Sequence, residues 1–147
     1  MAECELPREN LPDPEIKSLL QSARTVAVVG VSHKEDRDSH KVARYLKEHG
    51  YTMIPVNPKY KEVLGEPCYP DLTSVPVPID IVDIFRNIEA IPAIVDEALR
   101  VGAKAVWMQL GLCHNESAEK ARHAGLKVVM NKCIKVEHSR LLASKEG

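Results

Sequence analysis

Residues 26–46 read VAVVGVSHKEDRDSHKVARYL, and the fold follows from how that stretch is divided. Val26 to Val29 form an apolar run, Gly30 ends it, and an apolar pattern of helical period resumes at Val42. A strand, a glycine turn and a helix in that order present backbone N–H groups and the positive end of a helix to a phosphate. A dinucleotide fingerprint G-x-G-x-x-G opening at Gly30 requires glycine at two later positions, which Ser32 and Glu35 occupy here. The start is that of a nucleotide site, but a polar, charged loop stands where the later glycines belong.

The same alternation continues outward from this stretch. The runs TVAVVG (25–30), YTMIPV (51–56), DIVDIF (80–85), KAVWMQ (104–109) and KVVMN (127–131) are candidate strands, several of them almost continuously apolar. That is the pattern of parallel strands covered on both faces. Between them Val42, Tyr45 and Leu46 share one helix face, as do Ile88, Ile91, Val95, Ala98 and Leu99. Gly50, Gly102 and Gly125 fall where helix C-caps are expected, and Ser39, Asn87 and Asn115 read as N-caps. Asp13-Pro14-Glu15 reads as an N-cap, a proline at the first helical position and a first-turn acid, opening a helix to about Gln21. Ile134, His138, Leu141 and Leu142 place a last helix after the fifth run. The expected fold is α/β, one doubly wound domain over 13–147 with five or six parallel strands flanked by helices, after a flexible segment 1–12.

Composition limits the function classes. At 147 residues the chain is one domain with a single core. Its 20 basic and 21 acidic side chains sum to a net charge of −1, so no global field draws it to nucleic acid or an anionic membrane. No apolar run reaches the roughly 20 residues of a membrane span, and the N-terminus lacks a signal-type apolar region, so the expected location is the cytoplasm. Cys4, Cys68, Cys113 and Cys133 are scattered without C-x-x-C spacing, which reads as reduced thiols. The six histidines show no metal-ligand spacing, and no G-x-S-x-G elbow or nucleophile–base pair is present. Catalysis by the isolated chain is therefore not expected.

In a doubly wound sheet the ligand crevice lies beyond the C-terminal strand ends. Gly30 admits a phosphate to the backbone, with Val31, Ser32 and His33 continuing the loop and Arg37, Lys34 and Lys41 around it. The second strand ends in VNPKY, so Asn57 and Lys59 stand where an NAD site carries an acid for the ribose 2′-hydroxyl. A lysine there favours a phosphorylated ribose, which both NADP and coenzyme A possess. Phe85, Arg86 and Asn87 follow the third strand and suit an adenine or pantetheine stem beside a phosphate. Gly111 follows the fourth strand, and Trp107 within it belongs to the core. Cys113 and Cys133 both follow strand ends that face the crevice, where a ligand thiol has access to them.

These residues together resemble the small stand-alone CoA-binding domain proteins, the family similar to the CoA-binding domain of succinyl-CoA synthetase α subunits and NDP-forming acyl-CoA synthetases. The resemblance runs from about Ile16 to Leu142 and is carried by VAVVGVS, Arg37, KVARYLKEHGY, IPVNPKY, LGEPCYPDL, DIVDIFRN, GAKAVWMQLG and MNKCIKVEH. It implies a Rossmann-like fold in which Gly30 to His33 take the CoA diphosphate, Lys59 lies near the phosphorylated ribose and Phe85 to Asn87 run along the nucleotide. It also implies binding without catalysis, since the larger synthetases complete a ligase with a phosphohistidine and nucleotide-grasp domains for which 147 residues leave no room. The leading expectation is a module, carrier or sensor for CoA or an acyl-CoA, alone, as a homodimer or beside an acyl-CoA enzyme. An NADP-binding redox protein and a ligand-free interaction protein are the alternatives.

Overall fold

The computed structural model describes residues 6–142. Cys4 and the last five residues lie outside the described part. In chain order the elements are α1 (Asp13–Ser22), β1 (Thr25–Val29), α2 (Asp38–Glu48), β2 (Thr52–Val56), β3 (Glu62–Val63), β4 (Glu66–Pro67), β5 (Ile81–Ile84), α3 (Ile91–Arg100), β6 (Ala105–Met108), α4 (Asn115–His123), β7 (Lys127–Val129) and α5 (Ile134–Leu141). Five strands form one parallel sheet in the order β2-β1-β5-β6-β7, and β3 pairs with β4 as a small antiparallel hairpin. The chain winds outward from β1 to β2, then returns to lay β5 on the other flank of β1. The boundary between β1 and β5 is the switch point of the sheet.

The strands are buried on both faces because helices cover both. Ala27, Val29, Val82, Ile84, Val106 and Met108 face α3 and α4, while Val26, Val28, Ile81, Ala105 and Trp107 face α1, α2 and α5. Each fully buried valine or isoleucine contributes about 1.5 to 3 kcal/mol of burial free energy, which explains why the sequence shows continuous apolar runs instead of alternation. Pro55 sits inside β2 because β2 is an edge strand, where a missing N–H leaves no interior ladder bond broken. Trp107 is fully buried and donates its Nε1–H to the Lys132 carbonyl (2.9 Å), joining β6 to the loop that enters α5.

Several expected boundaries shift by a residue or two. Asp13 is the first residue of α1, not its cap, and its carboxylate makes two 2.8 Å bonds with Arg140. Arg37 occupies the N-cap of α2, so Ser39 lies in the first turn and its Oγ accepts from the Ser32 N–H (2.9 Å). His114 caps α4, its Nδ1 accepting from the Ser117 N–H (3.2 Å), while Asn115 holds the Arg8 N–H (2.9 Å). Asn87 does cap, through Oδ1 and the Ala90 N–H (3.1 Å), but it caps a short 3₁₀ turn that precedes α3. The β3–β4 hairpin was not anticipated. Its turn takes Leu64 and Gly65 to φ of 55° and 77°, and Lys47 of α2 ties it down through the Leu64 carbonyl (2.6 Å) and Glu66 (3.0 Å).

One residue conflicts with this apolar core. Asp83, on β5 between Val28 and Trp107, is fully buried, and neither carboxylate oxygen has a hydrogen-bond partner among the described residues. Burial pushes its carboxyl well above the ordinary value of 3.8, so it is held as the neutral acid in the folded state. Above pH 3.8 the unfolded chain releases this proton and the folded chain keeps it, so the contribution to stability falls as pH rises, by up to about 1.4 kcal/mol per pH unit. Asp83→Val therefore stabilises the protein, and its advantage over the parent in urea denaturation grows as pH rises from about 4 through the range above the ordinary carboxylate value. An advantage that stays constant over that range would mean that the carboxylate is already ionised in the folded protein.

Candidate functional site

Two neighbouring structures lie beyond the C-terminal ends of the strands. The first is a pair of interlocked loops. Gly30 closes β1 with φ +88°, and its N–H donates to the Val56 carbonyl (2.9 Å). A Cβ on Gly30 would run into the Phe85 carbonyl oxygen, and would lie 2.9 Å from the Phe85 carbonyl carbon and 2.8 Å from Arg86 Cδ. The glycine is thus required by the close passage of β5 behind the turn, whatever lies in front of it.

Val31 is buried in the core, and its carbonyl accepts from Asn57 Nδ2 (2.9 Å). Asn57 Oδ1 in turn accepts from the Lys59 N–H (2.9 Å), so this asparagine fixes the loop after β2 to the loop after β1. Ser32 is committed in a similar way. Its Oγ accepts from the Lys34 N–H (3.1 Å), and its carbonyl accepts from His40 Nδ1 (2.9 Å). The exposed His33 ring meets the edge of Tyr60 at 4.4 Å between centroids. Arg37 and Lys59 point outward from this framework, exposed and without ion-pair partners among the described residues.

The second structure is a cleft of about 470 Å³ that opens between the start of α2 and the start of α5. Its walls are Val42, Phe85, Leu110, Leu112 and Val136, with Lys41, Arg86 and Lys135 as cations, Asp38 as the single acid, and Gln109 and Cys133. The volume and the mixed lining are those of a small-molecule site. Neither Arg37 nor Cys133, the N-cap residues of the flanking helices, caps its helix through its own side chain, which leaves the positive dipole end of α2 without a capping group, while the first N–H of α5 is taken by Gln109. Lys34 and Arg37 are offset by Glu35, Asp36 and Asp38 in the same loop. In the cleft lining the positive excess comes from Lys41, Arg86 and Lys135 against Asp38, the three cations brought together from three elements.

Gln109 organises the far wall. It is almost fully buried at the end of β6, and its Oε1 accepts from the Ile134 N–H (3.1 Å) at the start of α5. The near wall is braced by the Tyr45 hydroxyl of α2, hydrogen-bonded to His138 Nδ1 of α5 (2.8 Å). Burial, reinforced by the neighbouring His49, lowers the His138 pKa and so favours the neutral imidazole at this contact.

Of the residues singled out in the sequence, Phe85 and Arg86 line the cleft, while Gly30, Val31, Ser32, Asn57 and Asn87 serve as turn, core, turn, loop tie and cap. Gly111 takes φ +90° and donates its N–H to Asn131 Oδ1 (2.7 Å), outside the cleft lining. Leu110, expected with Gly111 at the crevice, does line the cleft, whereas Gln109, Leu112, Lys135 and Val136 were not singled out. Glutamine at a strand end just before Leu-Gly was the one available signal, and it is weak without knowing that α5 starts beside it. The two crevice cysteines separate clearly. Cys113 is buried with its Sγ 3.8 Å from Met130 Sδ, and Cys133 is half-buried in the cleft wall. Among the described residues there is no metal-holding cluster of His, Cys, Asp and Glu, and no helix is long and apolar enough to cross a membrane.

A family model described as the CoA binding domain matches residues 24–139. The chain is 40% identical over 131 residues to the uncharacterized protein YneT of Bacillus subtilis, spanning 89% of this chain and 97% of that one. It is 30% identical over 121 residues to the ADP-forming acetate–CoA ligase I of Archaeoglobus fulgidus, a match that takes in 76% of this chain but 18% of the ligase. Among solved structures, a hypothetical protein from Pyrococcus horikoshii OT3 superposes with a TM-score of 0.88 at 43% identity, over 97% of this chain and 99% of that one.

Two outcomes follow from the geometry. Gly30→Ala places a Cβ against the Phe85 carbonyl in a left-handed backbone, so it destabilises the fold by at least about 2 kcal/mol in urea denaturation, before any ligand is considered. Iodoacetamide labels Cys133 before Cys113 in the native protein, as read by peptide mass mapping. Equal rates for the two would mean that the cleft wall opens as a unit.

Proposed function

The chain belongs to the CoA-binding domain family, and from that premise we propose that it binds coenzyme A or an acyl-CoA across the switch point, with the pantetheine arm in the cleft. The observation that carries this reading is the cleft itself: apolar walls from Phe85, Val42 and Leu112, rimmed by Lys41, Arg86 and Lys135, at the ends of β5 and β6. A long, weakly polar arm attached to a polyanionic nucleotide matches that combination. The nucleotide end lies over the Gly30–Arg37 and Asn57–Tyr60 loops, where Arg37 and Lys59 stand exposed and, among the described residues, without an ion-pair partner. The Gly30 N–H is already engaged by Val56, so the diphosphate is received by the uncapped first turn of α2 and by Arg37, with Gly30 shaping the turn.

Lys59 serves the ribose 3′-phosphate in this reading. Its exposure is what a group that must be met by an incoming phosphate requires, and the Asn57 bond to its N–H holds its backbone in place. No nucleophile–base pair is assigned in the cleft, so the chain acts as a binding module, a carrier or a sensor, working with enzymes that make or consume the thioester.

The 3′-phosphate provides the test. In titration calorimetry CoA binds at least about tenfold more tightly than dephospho-CoA, the lower end of what one charge-assisted hydrogen bond supplies. Lys59→Ala narrows that ratio, and Arg37→Ala weakens both ligands alike. NADP that competes with CoA at equal concentration would redirect the reading to a nicotinamide cofactor, and equal affinity for CoA and dephospho-CoA would remove the role given to Lys59.

A further inference from the structure

Four large hydrophobic side chains are exposed among the described residues: Leu6, Val77, Leu110 and Val136. Two of the four flank one opening. Leu110 is 71% exposed and Val136 55% exposed, and both line the cleft between β6 and α5. Isolated apolar side chains on a surface need no explanation, but a pair at the mouth of an apolar cleft does.

The exposure of Leu110 is built into the backbone. The Leu112 N–H donates to the Gln109 carbonyl (2.8 Å), and Gly111 has φ +90°, so Gln109 to Leu112 form a turn whose third position needs glycine and whose second position projects Leu110 outward. Asn131 secures the turn from the side, accepting from the Gly111 N–H (2.7 Å) and donating its own N–H to the Leu112 carbonyl (2.9 Å). Val136 is fixed by the first turn of α5, which Gln109 holds through the Ile134 N–H. The two side chains are thus each held by a rigid frame, with the less exposed Leu112 and Phe85 in the same lining, and they form the apolar lip of a preformed slot.

Sheet order gives the slot a direction. The exposed cations Arg37 and Lys59 stand over β1 and β2, whereas Leu110 and Val136 stand over β6 and beyond, three strand spacings or about 14 Å from β2. A ligand with its charged end at the first pair reaches the second with its opposite end. Resting on the CoA-binding reading, we propose that the physiological ligand is an aliphatic acyl-CoA thioester, its acyl chain of more than two carbons covered by Leu110 and Val136. Free CoA leaves both side chains in water. The thioester buries them together with its own methylenes, and each methylene fully buried strengthens binding up to about fourfold.

Titration of the full chain with CoA, acetyl-CoA and octanoyl-CoA tests this, with octanoate alone as the control for nonspecific uptake. Octanoyl-CoA is expected to bind at least about tenfold more tightly than CoA or acetyl-CoA, the equivalent of about two buried methylenes. In the Leu110→Ser/Val136→Ser double variant, checked for native melting, that ratio falls at least about threefold. Equal affinities for the three ligands overturn the acyl proposal and leave CoA binding intact, whereas failure of all three to bind overturns both. A double variant that alters sedimentation but leaves the ratio unchanged assigns the two side chains to contact between copies of the chain and also overturns the proposal.

Discussion

The close passage of β5 behind Gly30 is the constraint on which the rest of the architecture depends. A parallel sheet that winds outward from β1 in both directions must seat the first residue after β1 against the first residues after β5. Here the space that a Cβ would occupy is filled by the Phe85 carbonyl and Arg86 Cδ. The backbone escapes through a left-handed residue, which only glycine adopts without strain. Once Gly30 turns, Val31 drops into the core, its carbonyl meets Asn57, and the loops after β1 and β2 become one surface. The same contact sends Phe85 and Arg86 toward the cleft. The left-handed turn after β1 and the apolar slot are therefore two outcomes of one packing requirement.

That requirement also explains which parts were legible in the sequence. The five strands could be read because parallel strands under two layers of helix must be apolar throughout, and the helix ends because Gly50, Gly102 and Gly125 are needed with φ of 92°, 73° and 95°. Their lateral order was not legible, since the runs carry no mark of which neighbour they take. The β3–β4 hairpin escaped because each of its strands is two residues long, too short for any period, and it depends on Lys47 from another element.

Among the candidate site residues, Asn57, Asn87 and Ser32 show why polar loop residues are ambiguous. Each sits at a crevice rim, and each has side-chain hydrogen bonds within the loops. A sequence shows that such a residue is polar and near the rim, but not whether its hydrogen-bonding capacity is already used. Gln109 is the converse. It joins β6 to α5 across 25 residues of chain, and nothing local in its neighbourhood indicates that its partner is the Ile134 N–H. Cleft walls built by such long-range ties are the least legible features of a sequence, because they exist only after the strand order is settled.

Asp83 shows that the same sheet tolerates a cost close to the site. Residues 81, 83 and 85 of the β5 stretch share a face, so the neutral acid lies one step below Phe85, on the side occupied by α1, α2 and α5. A valine at that position would satisfy the burial pattern of every neighbouring strand. The core of this protein is therefore not at its stability optimum at the strand next to the switch point, and the excess must be carried by the surrounding apolar contacts, chiefly Val28 and Trp107 in register on either side. Those two flanking strands are fixed by the Gly30 turn and by the Trp107 bond to Lys132, which is the same hydrogen bond that delivers the chain into α5 and the far wall of the cleft. The strand carrying the least comfortable residue is thus braced on both sides by the elements that shape the site.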